Sequence, residues 1–189
     1  MSFFGRLALY YVCANFAGGY IVGYLLYLFL DLVVMDFALK NIWGLTKLGT
    51  GLDSVFLELE IINCFYITLD KKMDQIQDIK DQLIKNREGL DRFMSVLVKI
   101  FGKHYLRKLH GKELQQQWNK VFVEYDKPIN SEEELADYIR EIGRPIIDRR
   151  GLQWRLFLVK NFKDTSVIVF KANHFLSDGI GTVLVASSL

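Results

Sequence analysis

Between Leu7 and Leu30 the chain carries no charged residue. This run, LALYYVCANFAGGYIVGYLLYLFL, is 24 residues long, and a helix needs only about 20 apolar residues to cross the hydrocarbon core of a bilayer. The length rule therefore predicts one transmembrane helix over residues 7–30. A cleaved leader fits less well, because such leaders have an apolar core of about 7–15 residues and a small-residue cleavage site. Here the run is longer and ends in Leu28-Phe29-Leu30-Asp31. Tyr10, Tyr11, Tyr24 and Tyr27 lie toward its two ends, where aromatic rings favour the membrane interface. Gly19-x-x-x-Gly23 is a spacing that lets another helix approach closely. Arg6 precedes the run and Asp31, Asp36, Lys40 and Lys47 follow it, so the excess of basic residues assigns no orientation.

Those five are the only charges in the first 50 residues. The whole chain nevertheless carries a net charge of only +2, which excludes a strongly basic nucleic-acid binder and an acidic disordered chain. With 51% hydrophobic residues and 2 Pro, it has the material for a packed core. Cys13 and Cys64 form no CxxC pair, so neither a metal site nor a redox motif is expected and both read as plain buried thiols. The basic stretch Lys99–Lys112 reads first as the solvated face of an amphipathic helix. Its other reading is attraction to anionic headgroups or to the phosphates of coenzyme A. No nucleic-acid partner is expected, because no aromatic residues interleave that face.

The segment Thr46–Gly51 (TKLGTG) separates the apolar part from a periodic one, placing an anchor and linker at 1–48 and a folded lobe at 49–189. Phe65–Leu69 reads as a strand. Asp74–Arg87 reads as a helix with Ile76, Ile79, Leu83 and Ile84 on one face, and Arg92–Leu109 as another with Phe93, Leu97, Ile100, Phe101 and Tyr105 together. Trp118–Tyr125 is a predicted strand. Ser131 followed by Glu134 is a capping box, opening a helix that ends at Gly143. Gln153–Lys160 and Ser166–Ala172 read as a β-hairpin with Trp154 buried, and Gly179–Leu189 as the start of a helix. The class is α/β or α+β, a mixed sheet with flanking helices.

Of the three His, His104 and His110 lie in the basic stretch and read as surface residues. His174 follows an apolar strand, in Asn173-His174-Phe175-Leu176-Ser177-Asp178-Gly179. An imidazole at the end of a rigid strand is well placed as a general base. Asp178 can fold back to support the loop, and Gly179 allows a turn closed to other residues.

HxxxDG at a strand end resembles the signature of the acyl-CoA-dependent acyltransferase superfamily, and three stretches in order resemble its wax ester synthase/diacylglycerol acyltransferase family. Gly51–Glu60 (GLDSVFLELE) is similar to the opening LDxxFLxxE segment. Ser131–Trp154, containing EEELADYI, RPIID and LQW, is similar to the helix, PLD and PLW segment. Val167–Gly181 (VIVFKANHFLSDGIG) is similar to the KVHHAxxDG strand and loop. The resemblance covers residues 50–189 and implies the N-terminal lobe of the CoA-dependent acyltransferase fold. It implies that His174 deprotonates an alcohol which attacks the thioester of acyl-CoA, that Asp178 holds the loop, and that Gly179 makes the turn. Acyl-CoA enters as co-substrate with no bound cofactor, and the acceptor is a fatty alcohol or diacylglycerol. The family's first His is Asn173 here, which cannot titrate. Family members are about twice as long, with a second lobe and a tunnel between the two.

Two readings follow. One is a membrane-anchored O-acyltransferase whose partners are membrane lipid, acyl-CoA and an alcohol. The other is an inactive lobe serving as an accessory subunit of a larger membrane complex. The expected location is the endoplasmic reticulum, or else an organellar inner membrane.

Overall fold

The computed structural model describes residues 3–16, 19–31, 35–48, 52–85, 90–100 and 102–176. The chain divides into two compact units, residues 1–48 with 97–108 and residues 49–96 with 109–189.

In the first unit the uncharged run is not one helix. It forms α1 (Phe3–Phe16) and α2 (Tyr20–Phe29), and no described helix is long and apolar enough to cross a membrane. The predicted span over 7–30 is therefore corrected. Between them Gly19 is extended, with φ 176 and ψ 149, and Gly disfavours helix by about 1 kcal/mol relative to Ala. The two helices run antiparallel, for Tyr10 meets Tyr24 and Tyr27 edge-on at 6.0 and 6.4 Å while Gly23 abuts Ala14. A Cβ on Gly23 would run into the Ala14 backbone, so the close approach that Gly23 permits is used within the chain itself.

α3 (Met35–Trp43) follows, then a sheet of order β1-β4-β3, made of β1 (Leu45–Lys47), β3 (Ser95–Ile100) and β4 (Lys103–Lys108). β1 and β4 are antiparallel, with Thr46 opposite Leu106. Leu39, Leu45 and Tyr105 form the small core, with Val98 and Ile100 against it. The predicted helix over Arg92–Leu109 is thus two strands. Ser95-Val-Leu-Val-Lys-Ile100 is dense in β-branched residues, which fit a pleated surface, and Gly102 sits at φ 79, a left-handed angle that favours glycine and turns the chain. The basic stretch is therefore not one helix face: Lys99 and Lys112 are exposed as expected, whereas the Lys103 side chain is 18% exposed and bonded to Asp31 at 3.1 Å.

The second unit is built on a mixed sheet of order β2-β7-β6-β5. β2 (Ile62–Thr68) overlaps the strand expected over Phe65–Leu69, starting three residues earlier and ending one sooner. β6 (Trp154–Phe162) and β7 (Thr165–Asn173) form the expected antiparallel hairpin, longer than predicted and turning at Lys163 with φ 50. β5 (Phe122–Tyr125) lies parallel to β6, so the chain must cross over through α7 (Glu132–Gly143). The predicted strand over Trp118–Tyr125 begins too early, because Trp118 belongs to α6 (Gly111–Val121), buried with Val121. α4 (Leu52–Glu58) and α5 (Gln77–Lys85) complete the unit; α5 buries Ile79 and Leu83 as expected, but it starts after Ile76, which is buried before it, and leaves Ile84 exposed.

Strand alternation divides the residues between two faces. Val159, Val167 and Val169 pack with Leu135 and Tyr138 of α7. The other face carries Trp154 and Phe170, stacked at 5.8 Å, with Trp118 and Phe122 edge-on to Trp154 at 5.4 and 5.5 Å. The indole Nε1 of Trp154 donates to Phe93 O at 2.7 Å, which satisfies the one polar atom of a large buried ring.

Candidate active site

The site grows out of the end of β7. This strand is central in its sheet, paired along its length to β2 and to β6, and buried at every position from Ser166 to Asn173. Such a strand is a rigid mount for whatever follows it. A 3-10 turn, His174–Leu176, follows directly. Its position is fixed from three directions. His174 N–H donates to Ile61 O at 2.8 Å, extending the β2 ladder by one bond, and Asn173 N–H donates to Gln153 O at 2.9 Å. Phe175 and Leu176 are buried, so the turn is held by apolar packing as well as by its backbone.

The His174 imidazole is half-buried and lies against Phe56 of α4, ring centroids 4.0 Å apart and tilted by 44°. Its Nδ1 is buried and has no hydrogen-bond partner among the described residues. Asn173 is 6% exposed, paired in the ladder opposite Ile62, and its Oδ1 accepts from Phe175 N–H at 3.5 Å. That amide therefore braces the turn locally. Asp178 and Gly179, the other two predicted site residues, lie outside the described residues, as does the helix expected at Gly179–Leu189.

The stretches that carry the family resemblance meet here. α4, from the first stretch, supplies Phe56. Arg149, within the second, donates to Glu60 Oε1 at 2.9 Å and to Leu57 O at 3.3 Å. Gln153 is fully buried and its Nε2 donates to Asp148 O at 2.7 Å and Gly151 O at 2.8 Å. β7 is the third stretch.

Sequence reasoning missed Phe56, which bears no reactive group, and Lys171, which stands inside an apolar run. Lys171 is 3% exposed. Its ammonium donates to Ile142 O at 2.6 Å and to Pro145 O, at the C-terminal end of α7, where carbonyl oxygens favour a cation. Burial pushes its pKa down; the neighbouring Cys64 opposes this and the charge of Arg155 adds to it. Across the ladder sits Cys64, whose thiol burial pushes up against the pull of Lys171. The strand alternation of VIVFKAN was the available signal, since it places Lys171 on the same face as Val167 and Val169. Among the described residues no group of His, Cys, Asp and Glu could hold a metal ion. His110 is exposed at the start of α6, as expected, whereas His104 is half-buried in β4.

No family model and no curated protein matches the sequence. Solved structures do match. The wax ester synthase/diacylglycerol acyltransferase from Marinobacter aquaeolei VT8 superposes with a TM-score of 0.52 at 20% identity, over 75% of this chain and 37% of that one. The starter condensation domain of rhizomide synthetase RzmA, in complex with C8-CoA, superposes with a TM-score of 0.57 at 12% identity, over 82% and 36%. A mutant of that domain in a product-released conformation reaches 0.59 at 11% identity, again over 82% and 36%. These neighbours share the CoA-dependent acyltransferase, or condensation, fold. The class defined by the fold is one lobe of that architecture, a mixed sheet with flanking helices. The chain spans a little over a third of the length of these neighbours.

Proposed function

We propose that this lobe takes part in acyl transfer from acyl-CoA to the hydroxyl of a membrane lipid, a fatty alcohol or diacylglycerol, with His174 as general base. The observation that carries the reading is the mounting of His174: a half-buried imidazole on the residue directly after a central strand, in a fold whose neighbours include a wax ester synthase and a condensation domain in complex with C8-CoA. Because Nδ1 is buried, the nitrogen that meets the hydroxyl is Nε2. It takes the hydroxyl proton as the oxygen attacks the thioester carbonyl. The tetrahedral intermediate collapses with cleavage of the C–S bond, and the imidazolium returns the proton to the thiolate, leaving ester and free coenzyme A. Phe56 packs on the ring, and the buried Phe175 and Leu176 hold the turn that carries it. Asp178 is assigned the support of the loop and Gly179 its turn.

A second reading, an inactive lobe serving as an accessory subunit, is favoured by Asn173: this amide is buried and committed to the turn, and no second imidazole stands beside His174.

The test uses labelled acyl-CoA with a long-chain alcohol, on membranes containing the chain. His174→Ala should lower ester formation about 10²–10⁴-fold, the usual cost of removing a general base. Equal turnover by wild type and variant would remove His174 from the chemistry. No turnover by either, with assembly into a membrane complex unchanged, would establish the accessory reading.

A further inference from the structure

The hairpin of the first unit has no part in that chemistry, and its surface is unusual. Seven of the ten residues of α2 are exposed, all of them apolar or tyrosine, and Ile21 reaches 79%. At about 100° per residue these positions sweep roughly 240° of the helix circumference. A helix apolar over so wide an arc belongs in the core of a large protein or in lipid, and α1 is the helix packed on it here. Polar side chains of the hairpin find partners within it, as hydrocarbon favours: Asn15 Nδ2 donates to Tyr11 O at 2.7 Å and Tyr10 Oη to Tyr20 O at 3.4 Å.

The dimensions select the depth. α1 is 14 residues and α2 is 10, about 21 and 15 Å long. One leaflet offers a hydrocarbon layer of about 15 Å, half of the bilayer core. A single span would set Arg6 and Asp31 at opposite surfaces, whereas the antiparallel pairing of Tyr10 with Tyr27 and Ala14 with Gly23 brings both to one end. That end is polar. Lys103 reaches the Asp31 carboxylate at 3.1 Å and its backbone oxygen at 3.0 Å. Lys47 and Tyr105 converge on Asp36 beside it, the tyrosine at 2.7 Å. α3 then exposes Phe37 and Trp43, ring types that settle at the headgroup level.

We propose that α1 and α2 insert as a monotopic hairpin into one leaflet of a phospholipid bilayer, with the residues before and after it on the same aqueous face. This rests on the membrane reading above and changes its form from a span to an inserted hairpin.

The experiment places one epitope tag at each end of the full chain, expressed in cells, and examines sealed membrane vesicles. The chain should stay in the membrane after alkaline extraction, and both tags should show the same protease sensitivity without detergent. Retention with one tag protected and the other cleaved would overturn the hairpin in favour of a span, leaving the membrane reading in place. Release by alkaline extraction would overturn the insertion and the membrane reading with it. Ile21→Asp with Leu25→Asp should release a chain whose far-ultraviolet circular dichroism is unchanged; full retention of that variant would place these residues on protein rather than lipid and overturn the proposal. None of these readouts uses ester formation, so loss of acyl transfer leaves the hairpin standing.

Discussion

The two units treat apolar sequence in opposite ways. In the second, Val167 to Ala172 is buried on both faces of a central strand, and each residue has a partner across the ladder or on a helix. In the first, Tyr20 to Phe29 is more apolar still, yet most of it is exposed. The difference is one of packing partners. A strand inside a four-stranded sheet with helices against it has neighbours on every side, whereas a two-helix hairpin offers each helix one neighbour and leaves the rest of its circumference to the surroundings. Hydrophobicity alone therefore predicts burial only where the topology supplies a second layer.

The largest expected effect tests the packed side of this contrast. Trp154 touches Phe93, Trp118, Phe122 and Phe170, so Trp154→Ala should destabilise the second unit by about 3–5 kcal/mol. Chemical denaturation followed by near-ultraviolet circular dichroism measures this. A loss below about 1 kcal/mol would mean that the aromatic cluster is not the core of the unit.

A smaller effect tests the polar base of the hairpin. Burial acts to raise the Asp36 pKa, but hydrogen bonds from Lys47 and Tyr105 and the charges of Lys103 and Lys47 outweigh it and hold the carboxyl below its usual value. A lowered folded-state pKa adds stability that is present above the unfolded value of about 3.9 and is lost as pH falls through the folded one. Asp36→Asn should therefore weaken the first unit at neutral pH, and the gap from wild type should close as the solution is acidified below about 4. Hydrogen exchange at the amides of β1 and β4, measured across pH, reads this. A gap that stays constant with pH would assign the effect to shape rather than charge.

How much could be read in advance follows the same contrast. The β6–β7 hairpin was legible because two β-branched, aromatic-rich runs flank a short polar turn, and Trp154 was expected inside for its size. Residues 92–109 were misread because apolar positions of two successive strands, Leu97, Ile100 and Tyr105, fall three to five apart and imitate a helical stripe, although strand alternation puts Leu97 and Ile100 on opposite faces of β3. Gly102 was the overlooked signal, since its positive φ marks a turn. In the apolar run every position is alike, so periodicity offered nothing, and length alone implied one helix where two form, with Gly19 extended between them. At the site, His174 stood out by its motif. Phe56 and Lys171 did not, because one is an ordinary aromatic residue distant in sequence and the other a charge whose partners, Ile142 O and Pro145 O, are backbone atoms that no side-chain pattern reveals.

The smallest effect tests the most local inference. Ser131 Oγ accepts from Glu134 N–H at 3.1 Å, as a capping box requires. The return bond differs from the expected one: Glu134 Oε2 takes the N–H of Asn130 at 2.8 Å rather than that of Ser131. The carboxylate thus fastens the residue before the cap, tying the loop after Ile129 to α7 while Ile129 itself packs into the core beneath the helix. Ser131→Ala should cost about 1 kcal/mol, the ordinary value of an N-cap. Glu134→Gln retains an acceptor oxygen and should cost only a few tenths of a kcal/mol, from the lost charge at the helix N-terminus. If the two bonds act as one unit, the double variant will fall short of the sum of the singles. Thermal unfolding of the four proteins completes the cycle; additive losses would show that cap and loop are held independently.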